Sequence, residues 1–215
     1  MSPRDQEIEI GLLPVPAVLF PGGSLRLIAA KAYHQDLVKD CLREGQGLGL
    51  VLAEKRPDGN HPPGGPLNPK TRVRSHPEIA TIGTYCQITD FDQNDAGQLE
   101  VVIKAEQKLI IVDAFEASNG GLRAECRLID PEPAIPVGPE DELLIGILED
   151  LLAHPSIAKE ARQSSYDHAA ELGGRLVELL PIKNSVRQRF LELSDPLTRL
   201  TRIEKMLDQL QSEEN

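Results

Sequence analysis

Apolar and polar residues alternate along residues 79–129, and this two-residue period predicts β-strands. One face of the last predicted strand is apolar, and its members are Leu122, Ala124, Cys126 and Leu128. Turn-forming residues at 92–97 and 118–121 separate the alternating runs. We therefore expect an antiparallel meander in this part of the chain.

The stretch from Leu12 to Leu27 is apolar but cannot be helical. Pro14, Pro16 and Pro21 fix the backbone and remove hydrogen-bond donors, and Gly22-Gly23 supplies a turn before the next strand. We interpret the stretch as two short strands joined by a stiff apolar crossing. Together with the meander, these strands are numerous enough to close into a small barrel.

Between the two groups of strands, residues 33–42 have apolar positions at helical spacing. Gly45 is a suitable C-terminal stop for this helix, and residues 48–52 predict a buried strand. Residues 54–78 are rich in proline, glycine and basic residues and predict a long irregular loop.

After residue 139 the pattern changes to four amphipathic helices. Asn184 or Ser185 is the expected cap of the third helix, and Asp195 followed by Pro196 is the expected start of the fourth. The sequence thus predicts an α+β fold: an antiparallel β pseudo-barrel with one packed helix at residues 1–130, a proline-rich linker at 131–139, and a four-helix bundle at 140–215.

The chain has a formal net charge of −11 and a pI near 4.9, which disfavours nucleic acid as a partner. Aromatic residues make up only 3%, so a base-stacking surface is also disfavoured. Three widely spaced cysteines fit a reducing compartment. With no predicted signal peptide or membrane span, we expect a cytoplasmic protein.

No motif in the sequence indicates catalysis. There is no phosphate-binding loop, the five histidines lack metal-ligand spacing, and no serine lies in a G-x-S-x-G motif. Cys41 falls on the apolar face of its helix, where its thiol is expected to be inert. We therefore expect a protein that is not an enzyme and that has no cofactor and no metal.

The stretch LLPVPAVLFPGGSLRL resembles the opening of the Lon protease N-terminal domain family, also called the LON substrate-binding domain. Four further segments resemble the family in order: YHQDLVKDCLREGQGLGLVL, IATIGTYCQITDFDQNDAGQLEVVIKAEQKLIIV, YDHAAELGGRLVELLPI and FLELSDPLTRLTRIEKML. The resemblance implies a PUA-like barrel and a bacterial-type, stand-alone member without the ATPase and protease domains of Lon. It also implies a module that recognises polypeptides.

The leading hypothesis is a non-catalytic module that binds unfolded or extended polypeptides, with a protease or a chaperone as a further candidate partner. Its candidate surface, placed by motif position, consists of Phe20, Pro21, Leu25, Arg26 and Tyr33. We expect Phe20, Pro21 and Leu25 to be only partly covered. The alternatives are an RNA-binding PUA-like module and, third, a hydrolase with an unrecognised site.

Overall fold

A computed structural model describes residues 7–53, 79–163 and 165–213 of the chain. The loop predicted at 54–78 lies outside the described residues. Contacts between residues divide the chain into two compact units, Met1–Asp130 and Pro131–Asn215. Among the described residues, no helix combines the length and the apolar character that a bilayer crossing requires.

The described residues of the first unit form six β-strands and one α-helix. Their bounds are β1 (Glu7–Val15), β2 (Ser24–Ile28), α1 (Ala32–Glu44), β3 (Leu48–Leu52), β4 (Ile82–Gln93), β5 (Leu99–Glu116) and β6 (Leu122–Leu128). The helix α1 ends where the sequence predicts, because Gly45 adopts the left-handed conformation, with φ of 64°.

The strands are ordered β2-β5-β4-β3-β1-β6, and β6 pairs in addition with β5. This second pairing closes β5, β4, β3, β1 and β6 into a ring. It is possible because β5 is 18 residues long and pairs with β2 near its start and with β6 near its end. Among the described strands, β2 is the outermost strand of the sheet. Whether this ring is PUA-like stays a prediction.

The prediction of an antiparallel sheet is wrong for one pair of strands. The strands β1 and β3 run parallel, from Leu12 opposite Gly49 to Val15 opposite Leu52, whereas the other pairings of these strands are antiparallel. A parallel pair needs a long crossover connection. Residues 16–47, which include β2 and α1, provide it.

The strand β3 lies between two apolar clusters, and all five of its residues are buried. Leu48 and Leu50 pack in one cluster with Val38 and Cys41 of α1, which covers that side of the sheet. Val51 packs in the other cluster with residues from β1, β5 and β6. A strand covered on both faces has a continuous apolar run instead of an alternating one, which explains the sequence of β3.

The described residues of the second unit form four α-helices: α2 (Glu142–Ala153), α3 (Ala169–Leu179), α4 (Asn184–Leu191) and α5 (Pro196–Glu213). Two short 3-10 helices lie at Pro139–Asp141 and Ala161–Gln163. The main contacts between the α-helices all involve α3, which packs against α2, α4 and α5. A four-helix bundle, in which each helix packs against two neighbours around a shared axis, is therefore not confirmed.

The proline-rich segment before α2 is held against the helices of this unit. The amide of Ala169 donates to the carbonyl of Ile135, at 2.8 Å. Arg199 of α5 is 1% exposed and forms a bidentate ion pair with Glu132. The extended segment therefore belongs structurally to the helical unit.

Candidate functional site

The crossing between β1 and β2 is part of the core. Phe20 is only 1% exposed, and Val18 and Leu19 are also buried. The hydroxyl of Thr84 donates to the carbonyl of Leu19 at 2.6 Å and satisfies a buried polar group of this crossing. The expectation that Phe20 is partly covered is thus corrected, because its side chain is enclosed.

Pro21, Leu25 and Arg26 lie next to one another at the outermost strand. A turn at Gly22, with φ of 86°, leads from Pro21 into β2. Pro21 and Leu25 are partly buried, and Leu25 packs against the apolar cluster below α1. Arg26 points to the other face and forms an ion pair with Glu100 of β5 at 3.3 Å. The structure brings these three predicted residues together.

Sequence reasoning missed two exposed apolar residues, one on β2 and one on β4, with β5 between them. Ile28, at the end of β2, is 47% exposed, and Phe91 of β4 is 56% exposed. Phe91 is opposite Val101 of β5, and Leu27 of β2 is opposite the same residue from the other side. Ile28 lies within the apolar run 27–30 and Phe91 lies between two aspartates, so neither position has a sequence pattern that distinguishes a surface contact from a core residue.

Tyr33 lies apart from the other four predicted residues, in a groove of about 230 Å³. The groove is bounded by α1 on one side and by the turn between β5 and β6 on the other. Tyr33, Leu37 and Asp40 line the helical side, and Ala117, Ser118, Asn119 and Gly121 line the turn side. None of Phe20, Pro21, Leu25 and Arg26 lines this groove.

The floor of the groove depends on Gly11 of β1. A Cβ atom at this position would lie 2.1 Å from Cδ1 of Leu37, so α1 packs on the bare backbone of the strand. Arg123 of β6 is opposite Gly11 in the sheet and also lines the groove. The isolated glycine within a strand was the one local signal for this close approach in the sequence.

The charged groups near the groove are paired along its rim. Arg123 donates from Nε to Glu9 at 2.8 Å, and Asp40 accepts from Arg43 at 2.7 Å. The hydroxyl of Tyr33 accepts from Nζ of Lys31 at 2.9 Å. Partial burial, and then the nearby Lys31 ammonium, lower the pKa of His34, which favours its neutral form.

The described residues offer little for covalent or metal chemistry. Burial raises the pKa of the Cys41 thiol to about 11 and that of Cys126 to about 12, so both are protonated at neutral pH. Within the described ranges, no three His, Cys, Asp or Glu residues are placed to hold a metal ion. The exposed pair of His154 and Ser156 is a local turn, in which the Ser156 amide also points to the imidazole.

Residues 9–209 match the family model described as the ATP-dependent protease La (LON) substrate-binding domain. The chain belongs to this family. The resemblance noted from the opening stretch is thereby confirmed. The family supports a role in substrate recognition, since the matched region is the substrate-binding part of Lon and not its catalytic part.

Solved structures of Lon N-terminal domains have the same fold. The Lon N-terminal domain protein from Xanthomonas campestris is 27% identical, with a TM-score of 0.69 over 92% of this chain and 98% of that one. The N-terminal domain of the Mycobacterium avium complex Lon protease is 15% identical, with a TM-score of 0.56 over 90% and 95% of the two chains, and shows the fold alone. A search of curated proteins found no significant match.

Proposed function

We propose that this chain binds extended or unfolded segments of other proteins without transforming them. The observation that carries the proposal is the match of residues 9–209 to a substrate-binding domain family. RNA binding is not favoured, because a net charge of −11 opposes the approach of a phosphate backbone.

The surface around β2 suits this function. The strand β2 is the outermost of the described strands, and extended peptides commonly add to such strands through backbone hydrogen bonds. This mode of binding tolerates many side-chain sequences, as a receptor for unfolded chains requires. Pro21, Leu25 and Arg26 of the predicted surface lie here, and the exposed apolar side chain of Ile28 lies on the same face of β2 as Arg26.

The apolar residues give a physical reason for selecting unfolded chains. A folded protein buries most of its large apolar side chains, whereas an unfolded one presents them. Contact with Ile28 removes apolar surface from water on both partners, and Phe91 offers a separate exposed side chain on the other face of the sheet. Arg26 and Glu100, which form an ion pair at 3.3 Å, lie on the same face as Ile28 and place polar groups next to it.

The test is a titration of the chain with fluorescein-labelled lactalbumin that has been reduced and carboxymethylated, so that it cannot refold. Anisotropy should report saturable binding, and unlabelled native lactalbumin should not compete. Ile28→Asp should weaken binding about tenfold, because it places a charge in the apolar contact. The matched control is Leu42→Asp on α1, since Leu42 is 43% exposed and Ile28 is 47% exposed.

The proposed function and its location at the β2 surface can be refuted separately. An absence of saturable binding would refute the proposed function. Equal affinity of Ile28→Asp, Leu42→Asp and the unmodified chain would leave the function in place and remove the β2 surface as its location.

A further inference from the structure

The groove between α1 and the β5–β6 turn has a defined volume and one charged residue of each sign in its lining. Its volume of about 230 Å³ corresponds to roughly eight liquid water molecules. Sites for cofactors and drug-sized ligands usually occupy about 300–1,000 Å³. The space therefore suits one amino-acid residue better than a nucleotide or a flavin.

The lining of the groove carries one cation and one anion. Arg123 lies on β6 and Asp40 on α1, and both line the space. Their opposite charges also act in opposite directions on the pKa of the neighbouring Cys41 thiol, which Asp40 raises and Arg123 lowers. A groove with balanced charges gives no net attraction to a phosphate or to a free cation.

A peptide unit matches this arrangement, because it presents a carbonyl acceptor and an amide donor. We propose that the groove holds one uncharged residue of a bound extended polypeptide, whose carbonyl accepts from Arg123 and whose amide donates to Asp40. The inference rests on the proposed function and adds a second contact point away from β2. Tyr33 and Leu37 supply the apolar contact for the side chain of that residue.

The ion pairs now present at the rim do not prevent this. Arg123 is engaged through Nε with Glu9, a side chain that is 53% exposed, and Asp40 with Arg43, a side chain that is 69% exposed. Exposed ion pairs contribute little to stability, so a ligand can displace them at small cost. The side chains of Glu9 and Arg43 can then be solvated by water.

Two pairs of variants of the full 215-residue chain test the inference with the unfolded lactalbumin probe. Ser118→Trp fills the groove from its exposed turn, and Ala96→Trp places the same side chain in the exposed β4–β5 turn as a control. Arg123→Gln removes the cation, and Arg127→Gln does the same at an exposed position of the same strand. We expect about tenfold weaker binding for Ser118→Trp and about fivefold for Arg123→Gln, with both controls unchanged.

A second measurement identifies the kind of ligand. In ¹H–¹⁵N spectra of the unmodified chain, blocked acetyl-Ala-Leu-Ala-amide should shift the amide signals of Ser118, Asn119 and Gly121, and inorganic phosphate should not. A shift caused by phosphate and not by the peptide would make the groove an anion site and overturn the inference. This measurement does not depend on whether Ser118→Trp folds.

The failures of the two proposals are distinguishable. If the unmodified chain binds the unfolded probe but Ser118→Trp and Arg123→Gln bind it equally well, the groove is refuted and the proposed function stands. If the unmodified chain binds neither the unfolded probe nor the blocked peptide, both are refuted.

Discussion

Replacing Arg199 should destabilise the helical unit more than any surface change. Its guanidinium is 1% exposed and donates to the carboxylate of Glu132, with one of the two bonds at 2.7 Å. It also donates to the carbonyls of Phe190 and Leu193, at 3.3 and 2.7 Å, where the chain leaves α4. Arg199→Met keeps much of the side-chain volume and removes all of these donors.

The expected loss in the free energy of unfolding follows from the carboxylate that stays in the folded state. The Glu132 side chain is 11% exposed, so the variant leaves a largely buried carboxylate without this cation. Breaking a buried ion pair from one side typically costs about 3–5 kcal/mol. Whole domains are stable by about 5–15 kcal/mol, so the loss is a large fraction of the total. For a unit of this size we expect the melting temperature to fall by at least about 10 °C.

The assay is urea unfolding followed by far-UV circular dichroism, which reports on the helices. Tryptophan fluorescence is not an option because the sequence contains no tryptophan. Arg202→Met, an exposed arginine on the same helix, is the control and should change the free energy of unfolding by less than about 0.5 kcal/mol. The double variant Glu132→Gln, Arg199→Met should recover part of the loss, because the buried carboxylate that loses this cation is replaced by a neutral amide.

The reasoning fails if Arg199→Met costs less than about 1 kcal/mol. It also fails if the double variant is as unstable as the sum of the two single variants, since the two side chains would then not be energetically coupled.

Three further outcomes are expected from the described residues. Gly45→Ala should lower the free energy of unfolding by about 1–2 kcal/mol in urea titrations, because an alanine resists the left-handed conformation that ends α1. Burial raises the pKa of Cys41 to about 11 and that of Cys126 to about 12, so both thiols should react with a disulfide reagent at pH 8 only after unfolding. Rapid labelling of the native chain would contradict their burial. Hydrogen bonds from the hydroxyl and the amide of Thr198 lower the pKa of Asp195 in the folded state. The ionised Asp195 carboxylate should therefore stabilise the folded chain above about pH 4, and this contribution should be lost as the pH falls through the lowered pKa. Acid unfolding of Asp195→Asn, compared with the unmodified chain, measures this: the difference in stability should vanish at low pH, and a difference that does not depend on pH would contradict it.

Helix ends were predictable where one local contact decides them. Asp195 caps α5 as the sequence predicts, and its carboxylate accepts from the Thr198 amide at 2.9 Å. The predicted cap of α4 was wrong. Lys183 occupies that position without a side-chain bond, and Asn184 lies inside the helix, where it accepts from Arg187 at 3.0 Å. Asparagine is a good cap in isolation, but here its side chain has a partner within the helix.

Features built from distant segments were not predictable in the same way. The burial of Phe20 depends on a sheet whose strands come from both ends of the first unit. The hydroxyl of Thr84 on β4 holds the neighbouring residue Leu19 by a hydrogen bond to its carbonyl. The groove combines β1, α1 and the β5–β6 turn, and Gly11 alone hinted at it. The parallel pairing of β1 with β3 is likewise set by the route of the crossover and not by any local period.

The pairing of β6 with both β1 and β5 has a consequence for how the molecule is made. The first strand leaves the ribosome long before the last one, and from Glu7 to Leu12 its partners are residues of β6. During translation the backbone N–H and C=O groups of this part of β1 therefore lack their strand partners until β6 emerges. Pairing at such sequence separation carries a high loop-closure cost and slows folding. The first unit can therefore close its ring of strands only after residue 128 has been synthesised.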